Sequence, residues 1–99
     1  MAELLSQEDV ANRLADLVDW SGDTSSITRT AKLPTFLAGI GVVDGVAAVA
    51  EEMDHHPDID IRWRTLTFVC STHSAGGVTT NDIDLARRID EIIAVAQAS

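Results

Sequence analysis

Ninety-nine residues, 45% of them apolar, with a formal net charge of −9 and one cysteine make a small acidic chain with enough apolar content for a core. Its seven basic residues are scattered and build no cationic face, which argues against direct contact with DNA, RNA or an anionic membrane. Cys70 has no partner for an internal disulfide, no apolar run nears the ~20 residues that cross a bilayer, and the acidic start has no signal-peptide character. The expectation is therefore a single domain, 1–99, in a reducing cytoplasm.

Leu5-Ser6-Gln7-Glu8-Asp9-Val10 reads as a helix start, with Ser6 as cap, Asp9 at the capping-box position and Leu5 stapled onto Val10. Val10, Leu14 and Leu17 share a face, and this helix should run to about Asp19. "WSGDTSS" is turn material, and the alternation of Ile27, Arg29, Ala31 and Leu33 with Thr28, Thr30 and Lys32 marks a strand. Together they predict a short hairpin with Trp20 on its first arm and Ile27 to Leu33 on its second.

Pro34-Thr35 opens a central helix over 35–53, capped by Thr35. Only Asp44 interrupts its apolar run from Phe36 to Ala50, so the helix needs two packing partners, the sheet and a second subunit. Gly39, Gly41 and Gly45 each cost about 1 kcal/mol relative to alanine inside a helix, which implies close packing on at least one side. In "IRWRTLTFVCST", Leu66, Phe68 and Cys70 form the core face of a strand. Trp63, Thr65, Thr67, Val69 and Ser71 point the other way. His73 follows this second set, so it falls on the open face or at the strand end. After the "SAGGV" turn, Thr79 to Asp82 is a cap signature for a last helix whose stripe is Leu85, Ile89, Ile92 and Ala96. With "HPDID" as a further strand, the order is α-β-β-α-β-β-α. That order predicts an α+β fold in two layers, an antiparallel sheet of three to four strands with three helices on one face.

The protein's three histidines are concentrated in one region: His55 and His56 in "DHHPD", and His73 eighteen positions beyond His55. Three readings are open. Histidines at a helix C-terminus are favoured by the dipole and need no function. Metal binding is poorly served, because adjacent residues on an extended segment point apart and Cys70 has no sulfur partner. General acid–base catalysis suits imidazole, which gives and takes protons near neutral pH. Pro57 would hold the pair in place by biasing His56 toward an extended backbone, with Glu51, Asp54 and Asp58 close by. The region offers proton donors and acceptors but no nucleophile with its base and no phosphate loop. That inventory suits the addition or removal of water on a substrate activated by its own electrons.

"E-E-M-D-H-H-P-D", the aromatic Trp63 and "S-T-H-S-A-G-G-V-T-T-N-D-I-D-L-A-R-R-I" resemble the pterin-4a-carbinolamine dehydratases, most specifically over residues 51–89. The resemblance implies dehydration of 4a-hydroxytetrahydropterin, a product of aromatic amino acid hydroxylases, to quinonoid dihydropterin. His55, His56 and His73 would be the catalytic residues. It further implies that Pro57, Ser71, Thr72 and Ser74 wall or hydrogen-bond the pterin, with Glu51 and Asp54 as an acidic frame. Asp82 matches a family aspartate and is equally a helix cap; Trp20 either covers the site or simply packs. No cofactor and no metal are implied, and homodimers or homotetramers would form through the central helix 35–53 and sheet edges. Some relatives also act as non-catalytic dimerisation partners of a transcription factor, which is the rival function. Ala31 and Leu33 stand where many members carry phenylalanine, and the hairpin after Trp20 is shorter.

Overall fold

The computed structural model describes residues 3–98. Ser6 accepts the Asp9 amide at 3.1 Å and starts α1 (Gln7–Leu14). The helix stops earlier than its apolar spacing predicts. Beyond it the amides of Asp16 and Leu17 reach back only three residues, to Arg13 and Leu14, and the Trp20 amide bonds the Leu17 carbonyl at 2.9 Å. This tightened path carries the chain toward β1 with both Leu17 and Trp20 buried.

The strands are β1 (Ser21–Gly22), β2 (Ile27–Lys32), β3 (Asp58–Arg62) and β4 (Thr65–Cys70). They form one antiparallel sheet in the order β1-β2-β4-β3. Trp20 lies just before β1 rather than within the hairpin arm. The two long helices are α2 (Phe36–Met53), capped by Thr35 on the Ala38 amide, and α3 (Thr80–Ala98). The architecture is the expected α+β one.

Strand parity decides which face carries the helices. Ile27 and Ala31 on β2 and Leu66, Phe68 and Cys70 on β4 are buried. They join one apolar cluster with Val10 of α1, Val42, Val46 and Val49 of α2, and Leu85, Ile89 and Ile93 of α3. On the opposite face Thr30 and Thr67 hydrogen-bond each other in a partly wet row. In α3 the most buried line runs through Ile93, while Ile92 is half-buried and turned toward α2. There a Cβ on Gly45 would stand 3.3 Å from Ile92, so this glycine lets the two helices approach; Gly41 faces open space. The inner side of α2 is covered, whereas Phe36 and Leu37 on its outer side are exposed.

Two polar ties cross the layers. Arg29 of β2 points inward with the core set and pairs with Asp90 of α3, whose Oδ1 also accepts the Trp20 indole N–H at 2.7 Å. Trp20 therefore packs under α3. Trp63 leaves the strand alternation: it stands in the β3–β4 turn at φ 54°, an uncommon conformation for a bulky residue, and is 69% exposed. Arg64 stacks on its ring at 4.7 Å and donates to the Pro34 carbonyl, joining this turn to the start of α2. Among the described residues no helix is long and apolar enough to cross a membrane.

Burial, then the nearby charges of Asp82 and Asp58, push the Cys70 thiol up from 9.0 to about 12. Between those values the folded chain keeps a proton that the unfolded chain has released. Stability from this group is therefore complete below pH 9 and is lost as pH rises. Urea unfolding should show a decline of about 1.4 kcal/mol per pH unit above pH 9 that is missing in Cys70→Ala.

Candidate active site

α2 ends in a left-handed residue. Asp54 sits at φ 50°, ψ 46°; its amide reaches the Glu51 carbonyl at 3.2 Å and the His55 amide reaches Ala50 at 2.9 Å. This paired closure turns the chain back against the helix end, and aspartate tolerates the conformation better than most residues. It separates the two histidines. The His55 side chain is folded inward and only 10% exposed, whereas that of His56 is 56% exposed and hydrogen-bonds Glu51 one turn back on α2. Half-buried Pro57 then leads into β3.

The other half of the site comes from β4 and α3. Asp58 pairs with Val69, so the start of β3 and the end of β4 share one end of the sheet. Beyond β4, Thr72 turns inward. Thr79 begins α3: its hydroxyl accepts the Asn81 amide at 3.2 Å, and its own amide donates to Asp82 Oδ2 at 2.8 Å. This is the cap the sequence predicts. Asp82 is nevertheless more than a cap, because the Thr72 hydroxyl also donates to Oδ2 at 2.8 Å and Oδ1 lies 2.6 Å from His55 Nε2. The carboxylate is completely buried. With Asp82 as a carboxylate, His55 must donate from Nε2, and Nδ1 is the nitrogen left over.

His73 follows Thr72 by one residue, at the corner of a small closed loop. The Thr72 amide bonds the Gly77 carbonyl at 2.8 Å, and the amides of Ala75 and Gly76 return to the Thr72 carbonyl at 3.0 and 2.9 Å. His73 and Ser74 are exposed, as strand parity anticipates for His73, and the His73 ring has no hydrogen-bond partner among the described residues. One end of the fold thus carries a buried, oriented imidazole, an exposed imidazole paired with a carboxylate, and a third held only through its backbone.

A family model described as pterin 4 alpha carbinolamine dehydratase matches residues 3–92. This chain belongs to that family. A Nocardia farcinica protein provisionally named pterin-4-alpha-carbinolamine dehydratase is 59% identical over 90 residues, 91% of this chain and 95% of its own length. A Roseiflexus castenholzii protein of the same provisional name is 50% identical over 93 residues, 94% of this chain and all of its own. The crystal structure of a transcriptional coactivator/pterin dehydratase from Brucella melitensis superposes with a TM-score of 0.87 at 31% identity, covering 90% of this chain and 97% of that one.

Several residues that the resemblance to the dehydratases marks for pterin contact have their polar groups turned elsewhere. Ser71 donates to the Ser25 carbonyl at 2.7 Å, bracing the β1–β2 loop. Thr72 is buried with its hydroxyl spent on Asp82, whereas Asp54 closes the helix through its backbone and is exposed. Trp20 lies with Asp90, so the packing reading holds for it. Thr79 reads from the sequence only as a cap; its contact with Thr72 at 2.7 Å is visible only in three dimensions. An apolar groove of about 760 Å³, lined by Pro34, Ala38, Val42, Ile92 and Ala96 among others, sits at the opposite end of the α2–α3 pair.

The loop that carries His73 is braced from outside. The Val78 amide donates to the Thr24 carbonyl at 2.8 Å, and the Leu5 amide to the Val78 carbonyl at 2.9 Å. A Cβ on Gly77 would fall 2.4 Å from the Thr24 oxygen, which is backbone and cannot swing aside. Gly77→Ala should cost about 1–3 kcal/mol, lowering Tm by about 4–8 °C per kcal/mol in a thermal melt.

Proposed function

We propose that this chain dehydrates a pterin 4a-carbinolamine of the 4a-hydroxytetrahydrobiopterin type by histidine acid–base catalysis, within tetrahydrobiopterin recycling in the cytoplasm. The observation that carries the reading is the His55–Asp82 pair. A buried carboxylate holding one imidazole nitrogen at 2.6 Å fixes the tautomer and leaves the other nitrogen to exchange protons.

In this reaction the lone pair on N5 of the pterin forms the C4a=N5 bond as the C4a–O bond breaks. The departing hydroxyl takes a proton and leaves as water, and N5 gives up its hydrogen. Both transfers are proton transfers, and no electrons enter or leave. One imidazole supplies the first proton and another accepts the second, from among His55, His56 and His73, a reading supported by the pairing of the start of β3 with the end of β4, the strand ends next to which these histidines stand in the chain. Glu51 steadies His56 as Asp82 steadies His55, and exposed Ser74 and half-buried Pro57 stand next to the rings as contacts for the pterin. Acid–base help of this kind is worth about 10²–10⁴-fold. A second copy of the chain covering the exposed outer side of α2, or extending the β3 edge, would complete a homo-oligomer.

The test is the rate of 4a-hydroxytetrahydropterin dehydration by purified protein. His73→Ala and His55→Gln, the latter keeping a donor toward Asp82, should each lower kcat by about 10²–10⁴-fold while circular dichroism stays unchanged. A wild-type rate no higher than that of these folded variants would overturn the reading. It would favour instead a non-catalytic binding role like that in the name of the Brucella melitensis neighbour.

A further inference from the structure

We propose that Thr72 and Thr79 are positioning residues for His55, acting through Asp82, and that Thr72 is not a contact for substrate. The proposal rests on His55 being catalytic.

A count of hydrogens gives the chain its direction. The Asn81 amide can only donate, so Thr79 Oγ1 accepts from it at 3.2 Å. The Thr72 hydroxyl hydrogen goes to Asp82 Oδ2 at 2.8 Å. The 2.7 Å contact between the two threonine oxygens must therefore be donated by Thr79. Every hydrogen in the row points the same way: Asn81 N–H to Thr79, Thr79 to Thr72, Thr72 to Asp82, with His55 Nε2–H meeting Asp82 from the far side.

Capping accounts for only part of this. A cap needs the Thr79 amide on Oδ2 and the Asn81 amide on Thr79, and nothing more. The Thr72 bond adds a second donor to Oδ2, and two donors on one oxygen stop the carboxylate from rotating about its Cβ–Cγ bond. Oδ1 is thereby held where His55 Nε2 lies. Thr72 is 8% exposed and Thr79 and Asp82 are fully buried, so water cannot substitute freely for a lost hydroxyl. Thr72 has one hydrogen, and donating it to a pterin would mean leaving Asp82.

The experiment combines steady-state kinetics with nitrogen-15 NMR of the His55 ring, recorded without substrate and above the pH at which the ring loses its charge. Wild type and Thr72→Ser should show His55 as a single Nε2–H tautomer. Thr72→Val, which keeps the shape and loses the hydroxyl, should show a mixture with Nδ1–H and a kcat about 10–100-fold lower, with KM within about twofold of wild type. Thr79→Val should move both readouts the same way and more weakly; should Thr72→Val fail to fold, Thr79→Val against Thr79→Ser decides the matter. A raised KM with unchanged kcat and an unchanged tautomer in Thr72→Val would make Thr72 a substrate contact and overturn the proposal. A tautomer shift in a protein with no dehydratase rate would leave the hydroxyl row standing and remove the function proposed for the site.

Discussion

A carboxylate with no exposed surface must find donors inside the protein, and Asp82 finds them on three different elements. The Thr79 amide belongs to the start of α3, the Thr72 hydroxyl to the segment leaving β4, and the His55 ring to the segment leaving α2. Breaking a buried charged contact by removing one partner costs about 3–5 kcal/mol, so none of the three segments can drift without a large penalty. Helix packing alone would not determine where these connecting segments lie. The carboxylate does.

The same economy explains the composition of this end of the molecule. The β3–β4 pairing brings the loop before β3 and the loop after β4 together, and the left-handed closure at Asp54 turns the first of them back against the end of α2. Each is stiffened differently: the first by Pro57, the second by the backbone bonds around Thr72 and the cap at Thr79. Acid–base chemistry between neighbouring rings requires such stiffness, because a misplacement of 1 Å can cost about 100-fold in rate. The His73 ring has no side-chain anchor of its own among the described residues, and the loop that carries it is braced from Thr24 and Leu5.

Much of this was legible before any coordinates. Ser6 and Thr35 cap where their sequence context places them, the parity of Leu66, Phe68 and Cys70 identifies the core face, and the same parity sets His73 outside the core. These are period-two and capping signals that depend on neighbours only a few positions away. What escaped depends on distant neighbours. The early end of α1 goes with the docking of Trp20 on Asp90 of α3, and the shift from Ile92 to Ile93 follows from where α2 crosses α3 at Gly45. Trp63 reads as a strand residue but lies in the turn at positive φ, stacked with Arg64, whose bond to Pro34 ties that turn to α2. The inward turn of Thr72 continues the parity of Leu66, Phe68 and Cys70, but its partner had no signal, since a threonine beside a histidine looks the same whether its hydroxyl faces ligand or carboxylate.

The two tryptophans lie in contrasting surroundings. One indole is buried with its N–H on Asp90, and the other stands in solvent beneath a guanidinium. Their fluorescence should therefore separate, the first emitting at shorter wavelength and resisting collisional quenchers, the second emitting further to the red and open to them. The chain carries its own pair of optical probes, one on the inner layer and one on the rim, with no label needed.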